Sequence, residues 1–233
     1  MINGKKVLAV TLARGGSKKV PRKNIIDLDG RPLIEYTFDA VKGSNYIDRY
    51  VVSTDDPDII GVALASSVDT IERPSDLASD TATSADALIH AVETIQDDYD
   101  YIVEIMATNP LKIAEDIDGV IEMLDDRESH SAVSVVRIYD HHPSRVKFLS
   151  DNGKMNDFYP EIPETRRQDL TPAAYVRNGS IYAMTKDFLL SSRSRYDKES
   201  LAYIMPEERT LNIDEPLDLI VAAAILEQRR GME

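Results

Sequence analysis

The stretch Val7-Leu8-Ala9-Val10-Thr11-Leu12-Ala13-Arg14-Gly15-Gly16-Ser17-Lys18-Lys19-Val20-Pro21-Arg22-Lys23-Asn24 decides the fold. Its first six residues are apolar or β-branched, with lysines before them and Arg14-Gly15-Gly16 after them, the pattern of a strand buried on both faces. The loop that follows carries Arg14, Lys18, Lys19, Arg22 and Lys23 around two adjacent glycines. Glycines let backbone N–H groups turn toward phosphate oxygens, lysines supply point charges, and arginine can bind two oxygens at once. The spacing is neither a Walker A sequence nor a Gly-x-Gly-x-x-Gly dinucleotide fingerprint, which weakens kinase, GTPase and dehydrogenase readings. A solvated basic turn at a strand end is the plain alternative.

Outward from this loop, strand and helix alternate. Helical spacing over residues 32–41 is followed by a strand over 50–54, and residues 59–65 read as a helix before a short strand over 70–73. The face Ala87, Leu88, Ala91, Val92 and Ile95 marks a helix over 84–95, and 101–106 is a strand. Helix 114–124, with acids in its first turn, precedes a strand over 131–137. Residues 139–176 break the pattern with prolines and charges and read as an excursion. A strand over 180–184, a short helix over 186–191 and an amphipathic helix over 216–229 close the chain. The expectation is one α/β domain over 1–233, a mostly parallel sheet with helices on both faces and ligands outside the carboxyl ends of its strands.

Composition bounds the function. The 233 residues carry a formal net charge of -14, so nucleic acid and anionic membranes are repelled on average and an anionic ligand must be attracted locally. With no cysteine there is no disulfide or thiolate metal site. The start MINGKKVLAV enters a strand-like run without a signal peptide's cleavage region, and no run of eighteen apolar residues exists, so the expected compartment is the cytoplasm. His141 and His142 are adjacent on an extended segment and point apart, with no further ligand nearby, which argues against a metal pair.

The block from Ala13 to Asn24 resembles the N-terminal signature of the acylneuraminate (CMP-sialic acid) cytidylyltransferases. Further matches follow in the family's order: Val52-Ser53-Thr54-Asp55; Arg73-Pro74 with Leu77-Ala78-Ser79-Asp80-Thr81-Ala82-Thr83-Ser84; Arg177-Asn178-Gly179-Ser180-Ile181-Tyr182; and Asn212-Ile213-Asp214-Glu215-Pro216-Leu217-Asp218-Leu219. The resemblance implies a Rossmann-like nucleotide-diphospho-sugar transferase fold and transfer of CMP from CTP to a nonulosonic (sialic, legionaminic or pseudaminic acid-like) α-keto acid sugar. Another acceptor, such as an eight-carbon sugar acid or a phosphonate, and a nucleotide-binding protein without catalysis remain alternatives.

Residue by residue, the resemblance implies that Arg14, Lys18, Lys23 and Asn24 hold the CTP phosphates, beside Ala13 and Gly15. Arg73 and Ser84, with Ala82 between them, would recognise cytosine. Arg73 could instead be a surface cation, and Ser84 a helix cap. Asp214 matches a magnesium-binding acid, and Asn212 stands where the family commonly has a second aspartate, which predicts weaker Mg2+ binding. On the acceptor side Met106 replaces a sugar-contacting glutamine, while Thr108, Asn109 and Lys112 keep polar chemistry nearby. Arg145 and Arg167 fall near basic positions that meet the sugar's carboxylate, or are solvated charges. Asn178 aligns well, but the arginine expected just before its motif is displaced to Arg177, with Val176 in its place. The excursion is implied to be a dimerisation segment reaching a neighbouring subunit, which makes the expected partners CTP, an acidic sugar and a second copy.

Overall fold

A computed structural model describes residues 1–161 and 165–231; residues 162–164, within the expected excursion, lie outside the described residues. The chain runs β1 (Val7–Leu12), β2 (Asp27–Leu28), β3 (Arg31–Pro32), α1 (Leu33–Lys42), β4 (Arg49–Thr54), α2 (Pro57–Ala65), β5 (Asp69–Glu72), α3 (Ser84–Thr94) and β6 (Tyr101–Ile105). It continues α4 (Ala114–Asp126), β7 (Ser131–Ile138), β8 (Lys147–Leu149), β9 (Met155–Asp157), β10 (Ala174–Thr185), α5 (Lys186–Ser192), β11 (Leu201–Ile204) and α6 (Pro216–Arg230).

One seven-stranded sheet has the order β11-β7-β10-β6-β1-β4-β5. Neighbours are parallel except where β10 runs antiparallel to β6 and to β7. Alternate residues of β1 serve two cores, as a doubly covered strand requires. Val7 and Ala9 face α4 through Ile117, Val120, Ile121 and Leu124. Leu8 and Val10 face α3 through Leu88, Ala91 and Val92. The expected mixed α/β architecture, with helices on both faces, is the one found.

Two departures matter. The strand expected over 180–184 begins at Ala174, so Tyr175 and Val176 belong to the sheet, opposite Arg137 and Val136, and not to the excursion. A register shift between Arg177 and Tyr182, around Gly179 at φ +63, bends this strand and hid its first half from a period-two reading. β11 is a short edge strand beside β7, half exposed and flanked by charges, which leaves little periodic signal. Within the excursion, β8 and β9 form a hairpin that carries exposed Phe148, Leu149 and Met155, with Phe158 just beyond it.

Candidate active site

Every strand end expected to carry ligand residues opens on the same edge of the sheet. Residues 13–24 leave β1, Asp55 and Asp56 leave β4, Arg73 follows β5 and residues 106–112 leave β6. The β1 loop, Arg73 and the exit of β6, together with α3 and the turn before α6, enclose a cleft of about 410 Å³. Its lining brings together Arg14, Lys18, Lys23, Asn24, Arg73, Ala82, Ser84, Met106, Thr108 and Asp214, residues drawn from positions 14 to 214 of the chain.

The cationic loop is held in shape by three devices. Val20 is buried and anchors its middle, Asn24 Nδ2 donates to the Arg14 carbonyl at 2.9 Å, and Arg22 sits at φ +54 with its guanidinium on Asp58 at 2.5 Å. Gly15 acts from behind the loop. Its N–H donates to Asp55 Oδ1 at 3.0 Å, and a Cβ there would stand 2.3 Å from Oδ2 of Asp56, whose other oxygen, Oδ1, caps the first turn of α2. Neither Gly15 nor Gly16 has a positive φ, so what Gly15 supplies is close approach to Asp56 and not a left-handed turn.

Each loop cation meets a surface acid. Arg14 lies 2.9 Å and Lys18 2.6 Å from Asp80, Lys19 reaches Glu215, and Lys23 lies 2.9 Å from Asp214. Lys18 is the main cause, with Arg14, of an Asp80 carboxyl held below its ordinary range. Exposed pairs of this kind are screened by solvent and hold little net stability, so a polyanion can displace them with little loss. Asp80 was not singled out from sequence, although it sits inside the quoted 77–84 block.

Arg73 is buried, and its Nε and Nη2 donate to Ser53 Oγ at 3.1 Å and Ser53 O at 2.5 Å. Burial pulls its pKa below the usual arginine value. The surface-cation alternative is therefore not what the structure shows. Ser84 is the first residue of α3, but Thr83 is the cap, accepting from the Asp86 N–H at 3.1 Å, so the Ser84 hydroxyl is not the helix cap.

The segment before α6 is fixed from two sides. Ile213 is buried and its N–H donates to the Thr108 carbonyl at 2.7 Å, while Asp218 accepts from the N–H groups of Asp214 and Glu215 at 2.8 and 2.7 Å. Asn212 links Thr108 Oγ1 to Asp214 Oδ2, with 2.5 Å on each side. Capping and presentation of Asp214 thus come from the same turn.

Other sequence-selected residues lie outside the cleft lining. Ala13 is buried in the core at the end of β1. Asn109 is buried and accepts from the Leu111 N–H at 3.3 Å. Asn178 is buried against β7, where Ser134 Oγ donates to it at 2.6 Å. Arg145 reaches the Thr165 carbonyl at 3.2 Å, and Arg167 stacks 5.0 Å above Tyr139 beside Asp140, both on the excursion. Lys112 is buried beneath the cleft, donating to Thr37 Oγ1, Met106 O and Asn109 O at 2.7, 2.8 and 2.7 Å. Among the described residues no group of three or more His, Cys, Asp or Glu is placed to hold a metal, and His142 is buried with its ring on Ser144 and the Pro172 carbonyl. No described helix is long and apolar enough to cross a membrane.

A glycine-tightened phosphate-type loop on a mostly parallel sheet defines a nucleotide-binding α/β protein, and solved structures share its architecture. A CMP:2-keto-3-deoxy-manno-octonic acid synthetase complexed with CTP superposes with a TM-score of 0.72, covering 96% of this chain and 99% of its own at 19% identity, a likeness of fold. The chain belongs to the cytidylyltransferase family, whose pattern it matches over residues 8–216. It is 32% identical to a pseudaminic acid cytidylyltransferase of Campylobacter jejuni, over 92% of this chain and 93% of the relative. It is 31% identical to an N-acylneuraminate cytidylyltransferase of Streptococcus agalactiae over 92% of its own length, and spans about half, 52%, of that longer relative.

Proposed function

We propose that this chain transfers CMP from CTP to a nonulosonic α-keto acid sugar of the sialic, legionaminic or pseudaminic type, releasing pyrophosphate. The observation that carries this reading is the convergence of Arg14, Lys18 and Lys23 with Arg73, Ser84 and Asp214 in one cleft, in a chain of otherwise strongly negative charge. The names of the two relatives support the sugar class.

In this reading the triphosphate lies along the β1 loop, and its negative charge replaces Asp80 and Asp214 as the partner of the loop cations. Arg73 donates to cytosine from a buried, rigid position, and Ser84 offers its hydroxyl at the start of α3. The anomeric hydroxyl attacks the α-phosphorus, the bond to the β-phosphate oxygen breaks, pyrophosphate leaves, and the hydroxyl proton passes to solvent. Arg14, Lys18 and Lys23 stabilise the charge that gathers on the phosphoryl oxygens and the leaving group. Asp214, with the Asn212 amide oxygen, would hold Mg2+. A single carboxylate fits that ion, which ordinarily keeps several waters and takes substrate phosphates as ligands. When bound it would screen phosphate charge. A second copy would bring its own Arg145 and Arg167 toward the acceptor, and the exposed apolar residues of the β8–β9 hairpin are a surface for that contact.

The test incubates the protein with CTP, Mg2+ and, separately, N-acetylneuraminic, legionaminic, pseudaminic and 2-keto-3-deoxy-manno-octonic acids, reading pyrophosphate release. Release with a nine-carbon acid supports the proposal, and release with the eight-carbon acid alone replaces the substrate class. CTP binding without release from any acceptor overturns catalysis.

A further inference from the structure

Glu104 is the residue that the roles above leave unexplained. It lies on β6, its side chain is wholly buried, and it lines the cleft beside Arg73, Ser84 and Met106. Residues 104 and 106 are two apart at the end of one strand, so both side chains leave the same face. Arg195 Nη1 donates to Glu104 Oε2 at 2.5 Å, while Glu104 Oε1 is buried with no hydrogen-bond partner. Burial pushes this carboxyl above its ordinary range even with Arg195 beside it. A buried, unsatisfied carboxylate oxygen is costly, and such a group in a cleft is explained when a ligand supplies the missing donor.

The surroundings indicate which ligand. Residues assigned to CTP come from the loop after β1, the end of β5 and the start of α3. Glu104 is opposite Val10 of β1 on one side and Tyr182 of β10 on the other. Its partner Arg195 comes from the segment between α5 and β11 and stacks 4.3 Å from Tyr182, on the β10 side. Met106, next along the same face, offers only a thioether. On this face of β6 the hydrogen-bonding group in the lining is therefore the Glu104 carboxylate.

Resting on the cytidylyltransferase reading, we propose that Glu104 is a specificity-determining residue for the acceptor, its Oε1 accepting a hydrogen bond from a hydroxyl or amide N–H of the sugar acid. Arg195 is the positioning residue that turns Oε1, and not Oε2, toward the cleft. A site built around such a bond rejects analogues that lack the donor far more strongly than an apolar pocket does.

The experiment measures KM for CTP and for the best acceptor of the panel separately, together with melting temperature, in wild type, Glu104→Gln and Glu104→Asp. In Glu104→Gln the Arg195 guanidinium keeps the amide oxygen, so an NH2 faces the acceptor's donor. The expected result is an acceptor KM raised about tenfold or more, with CTP KM within about twofold and the melting temperature held. Glu104→Asp, which withdraws the oxygen but keeps its charge, is expected to show the same split. A rise in CTP KM instead would place Oε1 against the nucleobase and overturn the proposal, as would two unchanged KM values. Equal loss on both substrates with lowered melting temperature in both variants would show a purely structural pair and also overturn it. A wild type that releases no pyrophosphate with any sugar acid fails at the earlier step, taking this proposal with it.

Discussion

Lys23 Nζ lies 2.9 Å from Asp214 Oδ1, across 191 positions of sequence. This contact joins the loop after the first strand to the turn before the last helix, both of which line the cleft. It also places a cation suited to phosphate beside an acid suited to a metal ion. Lys23→Met is expected to lower kcat/KM for CTP about 100-fold or more, the ~3 kcal/mol scale of losing one preorganised donor to developing charge. Lys23→Arg should recover part of it. Steady-state kinetics that show no loss in Lys23→Met would remove the residue from the phosphate site.

Asn212 spends its amide N–H on Asp214 and its oxygen on Thr108. Asn212→Asp replaces that donor by a second carboxylate, which raises the negative charge offered to a hard cation. The half-saturating Mg2+ concentration in the pyrophosphate assay should fall several-fold. An unchanged magnesium requirement would discard the idea that position 212 tunes the metal.

Gly15→Ala forces a methyl group toward Asp56 Oδ2, an atom that a Cβ would meet at 2.3 Å. Because Asp56 is held at the first turn of α2, the loop must yield. The cost should be about 1–3 kcal/mol of stability, the range for overpacking a tight site, with a weakened grip on CTP. Gly16→Ala meets nothing within 4 Å and should cost little. Equal denaturation midpoints for Gly15→Ala and wild type would show that the approach to Asp56 is relaxed in solution.

Burial pulls the Lys112 ammonium down to about 7 from 10.5. The sign follows from proton counting: between about pH 7 and pH 10.5 the unfolded chain binds more protons than the folded one, so this residue's contribution grows as pH rises through that window. It is lost as pH falls from 10.5 to about 7, and below that both states are protonated and it changes no further. Lys112→Met leaves the Met106 and Asn109 carbonyls without this donor and should cost ~2 kcal/mol. The difference in unfolding free energy between wild type and variant should widen from pH 7 to pH 9.5, and a difference flat in pH would refute the titration.

The β8–β9 hairpin exposes Phe148, Leu149 and Met155 together, with the Phe158 ring edge-on to Phe148 at 5.6 Å between centroids. In the proposed reading this patch is the contact between two copies, and sedimentation is expected to find a dimer. Phe148→Asp should shift it to monomer and lower activity on the acceptor. A fully active monomer in the ultracentrifuge would end the shared-site idea.

Much of this was legible in the chain itself. The buried run before Arg14, the helical faces of α3 and α4 and the alternation through β7 are local periodicities, and local periodicity is what a sheet covered on both faces imposes on its sequence. The cations of the β1 loop were legible because their density contradicts the acidic whole. Glu104 was not legible, since one glutamate inside Tyr101–Ile105 reads as an interruption of a strand until Arg195 is brought beside it from 91 positions away. Asn178 and Asn109 were legible as motif residues, but only packing shows that they are spent on internal hydrogen bonds. The antiparallel run of β10 stayed hidden because pairing direction leaves no mark on side-chain alternation.

By itself the sequence determined the class of fold, the strand end at which an anion is gripped and the chemistry of that grip, because each follows from residues within a dozen positions of one another. Tertiary structure alone decided which acid faces which cation, that Gly15 is needed for Asp56, and that a carboxylate oxygen lies unspent beneath Met106. Those facts depend on side chains from distant segments sharing a few ångströms, and distance along the chain carries no information about distance across the cleft.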